Sequence, residues 1–168
     1  MGIVVIGSAF VDIKGFPFDT YIPDGRNAGR VEYVHGGVAR NVVEDIANVE
    51  LRPTYIGLVD DTPLGEDVLK KLKNHKVNCD YVRKVEDGMG TWLALFDNNG
   101  DVAGSISHRP DTYLSYPILE KYGDEIFKDC DCRVDYNNQE PFAYLLGWAY
   151  ECIEQFNQSM NEDRTDRR

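Results

Sequence analysis

Two short runs of apolar, mostly β-branched residues mark the early part of the chain. Residues 2–6 read Gly-Ile-Val-Val-Ile, and residues 54–59 read Thr-Tyr-Ile-Gly-Leu-Val. Apolar runs of this length without polar alternation are typical of strands buried on both faces of a parallel sheet. Longer segments with helical periodicity follow each run, so the pattern predicts an α/β fold.

The first predicted helix follows two adjacent glycines, Gly36 and Gly37. Its apolar residues at helical spacing predict a face toward the core, at Val38, Val42, Ile46 and Val49. The positions between them predict a solvent face, at Arg40, Glu44 and Asn48. Paired glycines let a backbone approach a ligand, and a helix begins with free N–H groups. Asn41 is therefore a candidate ligand contact, although a tight loop before an ordinary amphipathic helix explains the same pattern.

A second helix is predicted after Asp60-Asp61-Thr62-Pro63, with Asp61 or Thr62 as its N-cap. Its predicted apolar face consists of Leu64, Val68, Leu69 and Leu72. The pair Asp60-Asp61 also admits an acid–base interpretation, but capping explains it more simply. Residues 77–85 predict a further strand with polar breaks.

Three segments predict strands outside the buried pair. Residues 91–96 and 102–107 flank a turn that contains Asn99-Gly100, which is typical of a β-hairpin. Residues 30–34 alternate in polarity, as in a half-exposed strand. Residues 16–29 are rich in Pro, Gly, Asp and Asn, so they predict a loop.

Composition narrows the function classes. The chain has 168 residues, of which 42% are hydrophobic, so it is long enough to bury a substantial core. Its net charge of -11 repels polyanions, which argues against nucleic acid or an anionic membrane as partner. Without a signal-peptide pattern or a long apolar run, we expect a cytoplasmic protein. The pair Cys130 and Cys132 lacks a second ligand pair, so no metal site is predicted.

Asp12 follows the first predicted strand by a few residues. Open α/β sheets bind ligands beyond the carboxyl ends of their strands, so this carboxylate is a candidate ligand contact. A capping or turn role fits the sequence equally well. Residues 7–9 lack the later glycines of a dinucleotide-binding motif, so that function is not predicted.

Several ordered motifs carry a resemblance to a known family. The run VVIGSAFVD at residues 4–12 precedes the pattern Gly36-Gly37-x-x-x-Asn41. The segments Asp12-Ile13-Lys14-Gly15 and GGVARNV add to the resemblance. From about Gly2 to about Asp111, the chain resembles the first half of the ribokinase-like, or PfkB, family of carbohydrate and nucleoside kinases. Within this family, the sequence of these segments is most similar to the branch that includes pseudouridine kinases.

The resemblance implies a mostly parallel sheet flanked by helices, with a small β-lid at about 14–35 and 88–110. In this family the matching aspartate accepts hydrogen bonds from neighbouring sugar hydroxyls. The implied substrate-binding residues are Asp12, Gly36, Gly37, Asn41 and Thr91. Members use ATP and Mg²⁺ to phosphorylate a sugar or nucleoside, and they often dimerise through the lid.

The chain also departs from the family pattern. Family members continue into a second half with a Gly-Ala-Gly-Asp motif, which this sequence lacks, so no catalytic residue or ATP site is identified. We expect a substrate-binding half at 1–135, a divergent amphipathic helix at 136–160 and a charged tail at 161–168. Three hypotheses follow: a kinase that needs a missing half, a non-catalytic sugar or nucleoside binder, and a dimerising interaction protein.

A second departure concerns turns. Glu50, Asp60 and Lys76 stand where family members usually have glycine. Glu and Lys are strained in the left-handed conformation that glycine adopts freely, whereas Asp tolerates it better. We therefore expect turns that have changed shape or a less stable fold.

Overall fold

Eight strands and three α-helices are present in residues 2–136, the part of the chain that this computed structural model describes. The strands are β1 (Gly2–Ile6), β2 (Phe10–Pro17), β3 (Gly29–Gly36), β4 (Thr54–Val59), β5 (Val82–Lys84), β6 (Gly90–Phe96), β7 (Val102–His108) and β8 (Cys130–Asp135). The helices are α1 (Val38–Asn48), α2 (Pro63–Asn74) and α3 (Tyr116–Phe127), the last preceded by a 3₁₀ turn at Thr112–Ser115. The helix predicted at 136–160, apart from its first residue, and the tail predicted at 161–168 lie outside the described residues.

The first sheet is parallel throughout and has the strand order β5-β4-β1-β8. Its two central strands have the bounds that the apolar runs predict, because both strands are buried on two faces. One face contributes Val5 and Tyr55 to a core that includes residues of α1 and α2, and the other packs Ile6 and Ile56 with Ile118 of α3. The predicted α/β fold with helices flanking a parallel sheet is confirmed.

A second sheet, here called the lid sheet, contains strands β3-β2-β6-β7 in that order. Strand β2 is antiparallel to β3 and parallel to β6, and β6 forms an antiparallel hairpin with β7. The hairpin turn holds Gly100 at φ 86, a left-handed conformation that suits glycine. The hairpin predicted from the Asn-Gly step is therefore present.

The buried face of α1 differs from the predicted one. Val38 and Val49 are 62% and 68% exposed, whereas Ala39, Arg40 and Val43 are buried. The predicted outward position of Arg40 was wrong, because this side chain is held inside by an ion pair with Glu44 of the next helical turn. Val42 and Ile46 of the predicted face do pack against the core, together with Ala39, Val43 and Ala47, so the apolar face is shifted around the helix.

The predicted strand at 77–85 is also shorter, since only Val82–Lys84 is a strand. The Asn78 Oδ1 atom accepts a hydrogen bond from the Asp80 N–H at 3.0 Å, which turns the chain away from extended backbone. Thr62 is the N-cap of α2, as one of the two predictions had it, and its Oγ1 accepts from Gly65 N–H at 3.3 Å. Leu64, predicted on the apolar face, is exposed.

Two of the three turn departures have the expected strain. Glu50 after α1 has φ 65 and Lys76 after α2 has φ 63, so both helices end in a left-handed non-glycine residue. Asp60 does not have a positive φ. No helix within residues 2–136 has the length and apolar character needed to cross a membrane.

Candidate functional site

Asp12 and Gly36 are brought together by the pairing of β2 with β3. Asp12 lies opposite Val34, so its carboxylate lies beside the next residue on that face of β3, which is Gly36. A Cβ atom at Gly36 would be 2.8 Å from Asp12 Oδ1 and 3.0 Å from Oδ2. The carboxylate therefore occupies space that only a glycine leaves free. Asp12 belongs to strand β2 of the lid sheet and not to a turn after β1, which was one of the two alternatives that the sequence left open.

Gly37 makes the turn from the lid sheet into α1. Its φ of 92 is left-handed, and a Cβ atom there would lie 2.5 Å from the Ser8 carbonyl oxygen and 3.0 Å from the Phe10 nitrogen. It is the N-cap of α1 and supplies no capping side chain. The first turn of α1 is closed by the Asn41 N–H, which donates to the Gly37 carbonyl at 2.9 Å. The glycine pair thus joins the Asp12 carboxylate to the amino end of a helix.

Asn41 is exposed on the first turn of α1. Its Oδ1 accepts a hydrogen bond of 3.0 Å from Arg40 Nη1, and the Arg40 side chain is buried beside Glu44. Because the amide oxygen is engaged, the amide nitrogen is the group left to donate to a ligand. The i, i+4 spacing of Arg40 and Glu44 is the sequence signal that would have indicated this ion pair.

His35 connects the end of β3 to α2. Its Nε2 lies 3.0 Å from Asp67 Oδ2, while its Nδ1 is buried without a partner among residues 2–136. Burial and the nearby Arg40 guanidinium lower the pKa of His35 below its ordinary value of 6.5, although Asp67 acts in the opposite direction. The imidazole is therefore neutral at pH 7.

Four further side chains share the Asp12 face of the lid sheet. Strand alternation places Lys14 and Phe16 there on β2, and Trp92 and Phe96 there on β6, where Trp92 pairs directly with Asp12. Lys14 Nζ lies 3.9 Å from Asp12 Oδ2 and 6.0 Å from the centroid of the Trp92 ring. Sequence analysis singled out neither Lys14 nor Trp92. Counting alternate positions from Asp12 would have found Lys14, but the parallel register that brings Trp92 alongside is a tertiary feature.

Thr91 is placed differently from the other four predicted site residues. It pairs with Val11 on β2 and with His108 on β7. Because side chains alternate along a strand, the Thr91 side chain lies on the face of the lid sheet opposite Asp12. The structure groups Asp12 with the two glycines and the start of α1, and leaves Thr91 apart from them.

The described helix termini do not fit the triphosphate of ATP. The amino end of α1 lies beside the Asp12 carboxylate, and the first turn of α2 contains Glu66 with Asp61 just before it. Negative side chains at these positions oppose a polyanion. Helix α3 has Pro117 as its second residue, which removes one N–H donor from its first turn. Within residues 2–136, no group of three or more His, Cys, Asp or Glu side chains is arranged to hold a metal ion.

Comparison with known proteins finds a family match for the first two thirds of the chain. Residues 2–113 match the model of the pfkB family of carbohydrate kinases. The chain is 42% identical over 113 residues to guanosine-inosine kinase from Exiguobacterium acetylicum, covering 67% of this chain and 37% of that protein. It is 26% identical over 153 residues to pseudouridine kinase from Escherichia coli strain K12, covering 86% and 47%. The chain thus spans less than half the length of these relatives.

Solved structures extend the comparison to the fold. A protein assigned as a sugar kinase from Clostridium perfringens matches with a TM-score of 0.68 and 26% identity, over 86% of this chain and 46% of its own. Arabidopsis thaliana ribokinase in complex with ribose and ATP matches with a TM-score of 0.56 and 21% identity, over 63% and 35%. Related kinases therefore use ATP. From the family match, the identities and the shared fold, we conclude that this chain belongs to the pfkB family of carbohydrate kinases.

Proposed function

We propose that this chain supplies the substrate-binding part of an ATP-dependent kinase that phosphorylates a hydroxyl group of a nucleoside or sugar. The observation that carries the proposal is the Asp12 carboxylate seated against Gly36, at the turn that leads into α1. A carboxylate has two oxygens and accepts hydrogen bonds only, so it suits two neighbouring hydroxyl groups. Gly36 leaves room for this carboxylate, Gly37 turns the chain into α1, and the Asn41 amide nitrogen supplies a donor.

The names of the relatives favour a nucleoside as the substrate. Guanosine-inosine kinase and pseudouridine kinase both act on molecules that combine a ribose with a base. Because this chain spans less than half of either protein, the substrate is proposed from the shared segment, residues 2–113, which contains the Asp12 and Gly36 contact. A free sugar is the alternative ligand for the same carboxylate.

ATP and Mg²⁺ belong to the proposal only as what the complete family fold would bind. The described helix termini are unsuited to a triphosphate, so no step of phosphoryl transfer is assigned to residues 2–136. We propose that residues 1–135 form the binding half with its lid, and that turnover needs groups outside it. A non-catalytic binder of the same ligands is the second hypothesis, since the contact of Asp12 with Gly36 would serve binding without turnover equally well. The cytoplasmic location stays a prediction.

We further propose a homodimer formed through the lid sheet. On the face opposite Asp12, exposed apolar side chains from three strands form one patch, here called the apolar lid face: Val31, Tyr33, Leu93, Leu95 and Ile106. The strand register supports the patch, because Ile13 pairs with both Tyr33 and Leu93, and Leu93 pairs with Ile106. Exposed apolar surface of this kind is typical of an interface between proteins.

Thermal unfolding with added ligands tests the proposed binding site. We expect inosine, guanosine or pseudouridine at about a hundredfold excess over Kd to stabilise the chain by about 2.7 kcal/mol, because a ligand that binds only the folded state stabilises it. Asp12→Ala should abolish this stabilisation, since the two neighbouring hydroxyl groups of the ribose lose the carboxylate that accepts their hydrogen bonds. Asp45→Ala, which removes an exposed carboxylate from α1, is the matched control and should keep the gain.

Two results would count against the site. One is the absence of stabilisation by any of these nucleosides or by ribose in the unmodified chain. The other is equal loss of stabilisation in Asp12→Ala and Asp45→Ala. A turnover assay with Mg-ATP then separates a kinase from a non-catalytic binder.

A further inference from the structure

An aromatic row begins directly beside the Asp12 carboxylate. Trp92 is the residue of β6 that pairs with Asp12, so the indole is its neighbour on that face of the lid sheet. Phe96 meets the Trp92 ring edge-on, with centroids 6.3 Å apart and planes at 89°. Phe16 then stacks on Phe96 at 4.7 Å. The far end is closed by Arg30, whose guanidinium carbon lies 4.5 Å from the Phe16 ring centroid.

The rings of this row differ in whether another aromatic ring is stacked on them. Phe16 and Phe96 stack on each other, so each already has an aromatic partner. Trp92 is only partly buried, and its ring is perpendicular to Phe96 and not stacked on it. A single perpendicular neighbour leaves at least one face of the indole without an aromatic partner. Trp92 is therefore the ring that can receive a flat ligand beside Asp12.

One cation lies at the junction of the carboxylate and the indole. Lys14 Nζ is 3.9 Å from Asp12 Oδ2 and 6.0 Å from the Trp92 centroid. An ammonium group has three donors and no acceptor, so it pairs with a carbonyl oxygen and not with an amino group. The face thus offers, side by side, an acceptor for hydroxyl groups, a flat apolar surface and a donor.

We propose that Trp92 and Lys14 form the base subsite of this chain, for a nucleoside whose base carries an exocyclic carbonyl oxygen. The inference rests on the proposed function, in which Asp12 holds the ribose. The base stacks on the Trp92 indole, and Lys14 donates a hydrogen bond to its carbonyl oxygen. Hypoxanthine, guanine and uracil carry such an oxygen, whereas adenine has an amino group in its place. The subsite therefore selects inosine over adenosine, and nucleosides over free ribose.

Tryptophan fluorescence tests the stacking directly. The chain has two tryptophans, Trp92 and Trp148, so Trp148→Phe leaves Trp92 as the single reporter. Stacking of a base on the indole should quench this emission saturably when inosine is added, with excitation at wavelengths the base does not absorb. Ribose should bind without quenching. Quenching that persists in Asp12→Ala at the same inosine concentrations would show that the base binds elsewhere.

Binding measurements on the full chain by calorimetry give the second test. Trp92→Leu should weaken inosine binding about tenfold or more, since stacking of a base on an aromatic ring is worth that factor, and leave ribose binding unchanged. Tyr113→Leu, which removes an exposed aromatic residue before α3, is the matched control and should change neither. Lys14→Met should reduce the preference for inosine over adenosine, whereas Lys70→Met on α2 should not.

The outcomes separate this inference from the proposed function. If inosine binds and Asp12→Ala abolishes binding, but Trp92 emission is unchanged and Trp92→Leu binds normally, the base subsite is wrong while the sugar site stands. If the preference for inosine survives in Lys14→Met, the assigned donor is wrong. If neither inosine nor ribose binds the unmodified chain, the proposed function fails first.

Discussion

At the residue scale, the site depends on where side chains are absent as much as on where they are present. The Asp12 oxygens lie within 3.0 Å of the position that a Cβ of residue 36 would take. Gly37 needs its left-handed φ and has no room for a Cβ beside Ser8. The two adjacent glycines are thus needed for different purposes: Gly36 leaves room for a carboxylate, and Gly37 turns the chain.

His35 gives a prediction about pH. Its folded-state pKa lies below 6.5, so in the window below pH 6.5 the unfolded chain binds more protons than the folded chain. The free energy of unfolding should therefore fall as the pH drops through this window, and His35 should have no such effect above it. His35→Gln should remove this part of the pH dependence. Urea unfolding of both proteins between pH 5 and pH 8 provides the measurement.

The comparison with His35→Gln isolates the histidine from the carboxylates, which titrate in both proteins. If the unmodified protein instead gains stability relative to His35→Gln as the pH falls, the Asp67 ion pair outweighs burial. That result would reverse the assigned direction of the pKa shift.

At the element scale, helices α1 and α2 are each followed by a residue with a strained backbone. Glu50 and Lys76 have φ values of 65 and 63. The left-handed conformation destabilises a non-glycine residue by about 1–2 kcal/mol, and glycine removes this strain. Glycine also raises the conformational entropy of the unfolded chain, which offsets about 0.4–1 kcal/mol of the gain. We therefore expect Glu50→Gly and Lys76→Gly each to raise the free energy of unfolding by up to about 1 kcal/mol, as measured by urea denaturation.

Position decides the sign of this effect. Lys70→Gly, inside α2, should lower the free energy of unfolding by about 0.5–1 kcal/mol, because glycine in a helix interior is unfavourable. Destabilisation by glycine at all three positions would mean that the turns gain nothing from left-handed freedom.

The elements also show how far sequence reasoning reaches. Residues 2–6 and 54–59 are buried on both faces, so their apolar runs determine their bounds without tertiary information. The face of α1 was predicted only in part, because Val42 and Ile46 pack against the core as expected whereas Ala39, Arg40 and Val43 are the buried residues. The strand at 77–85 was overestimated because an Asn78 side chain turns the backbone.

The candidate site was predictable to a similar extent. The resemblance grouped Asp12 with the glycine pair as implied substrate-binding residues, and the structure brings the Asp12 carboxylate against Gly36. The sequence could not show that Asp12 lies within a lid strand, because that depends on the pairing of β2 with β3. For the same reason the sequence named Thr91 and not Trp92, the residue that pairs with Asp12. A one-residue difference in register decides which of the two neighbours faces Asp12.

At the scale of the whole molecule, the lid sheet has two chemically different faces. The Asp12 face combines charged and aromatic side chains, whereas the apolar lid face is exposed and uncharged at its centre. A sheet with one polar working face and one apolar face is stable in water only if something covers the apolar side or its patch stays small. We infer that a second copy of this chain covers it.

A charge placed on the apolar lid face should break the proposed dimer. Ile106 on β7 is 72% exposed, so Ile106→Lys should leave the fold intact. In a two-fold symmetric interface the change occurs twice, and each lost isoleucine removes about 1.5–3 kcal/mol of burial. We expect dimerisation to weaken about a hundredfold or more, measured by sedimentation equilibrium.

Ser105→Lys supplies the control that makes this test specific. Ser105 is the preceding residue of β7, equally an exposed strand position, and it pairs with Ala94 on the Asp12 face. The same lysine there adds the same charge to the same strand, but on the opposite side of the sheet, so it should leave the dimer unchanged. Equal weakening by both substitutions would show that the charge, and not the face, matters. A monomeric unmodified chain at every concentration would remove the dimer altogether, and the apolar lid face would then require a different partner.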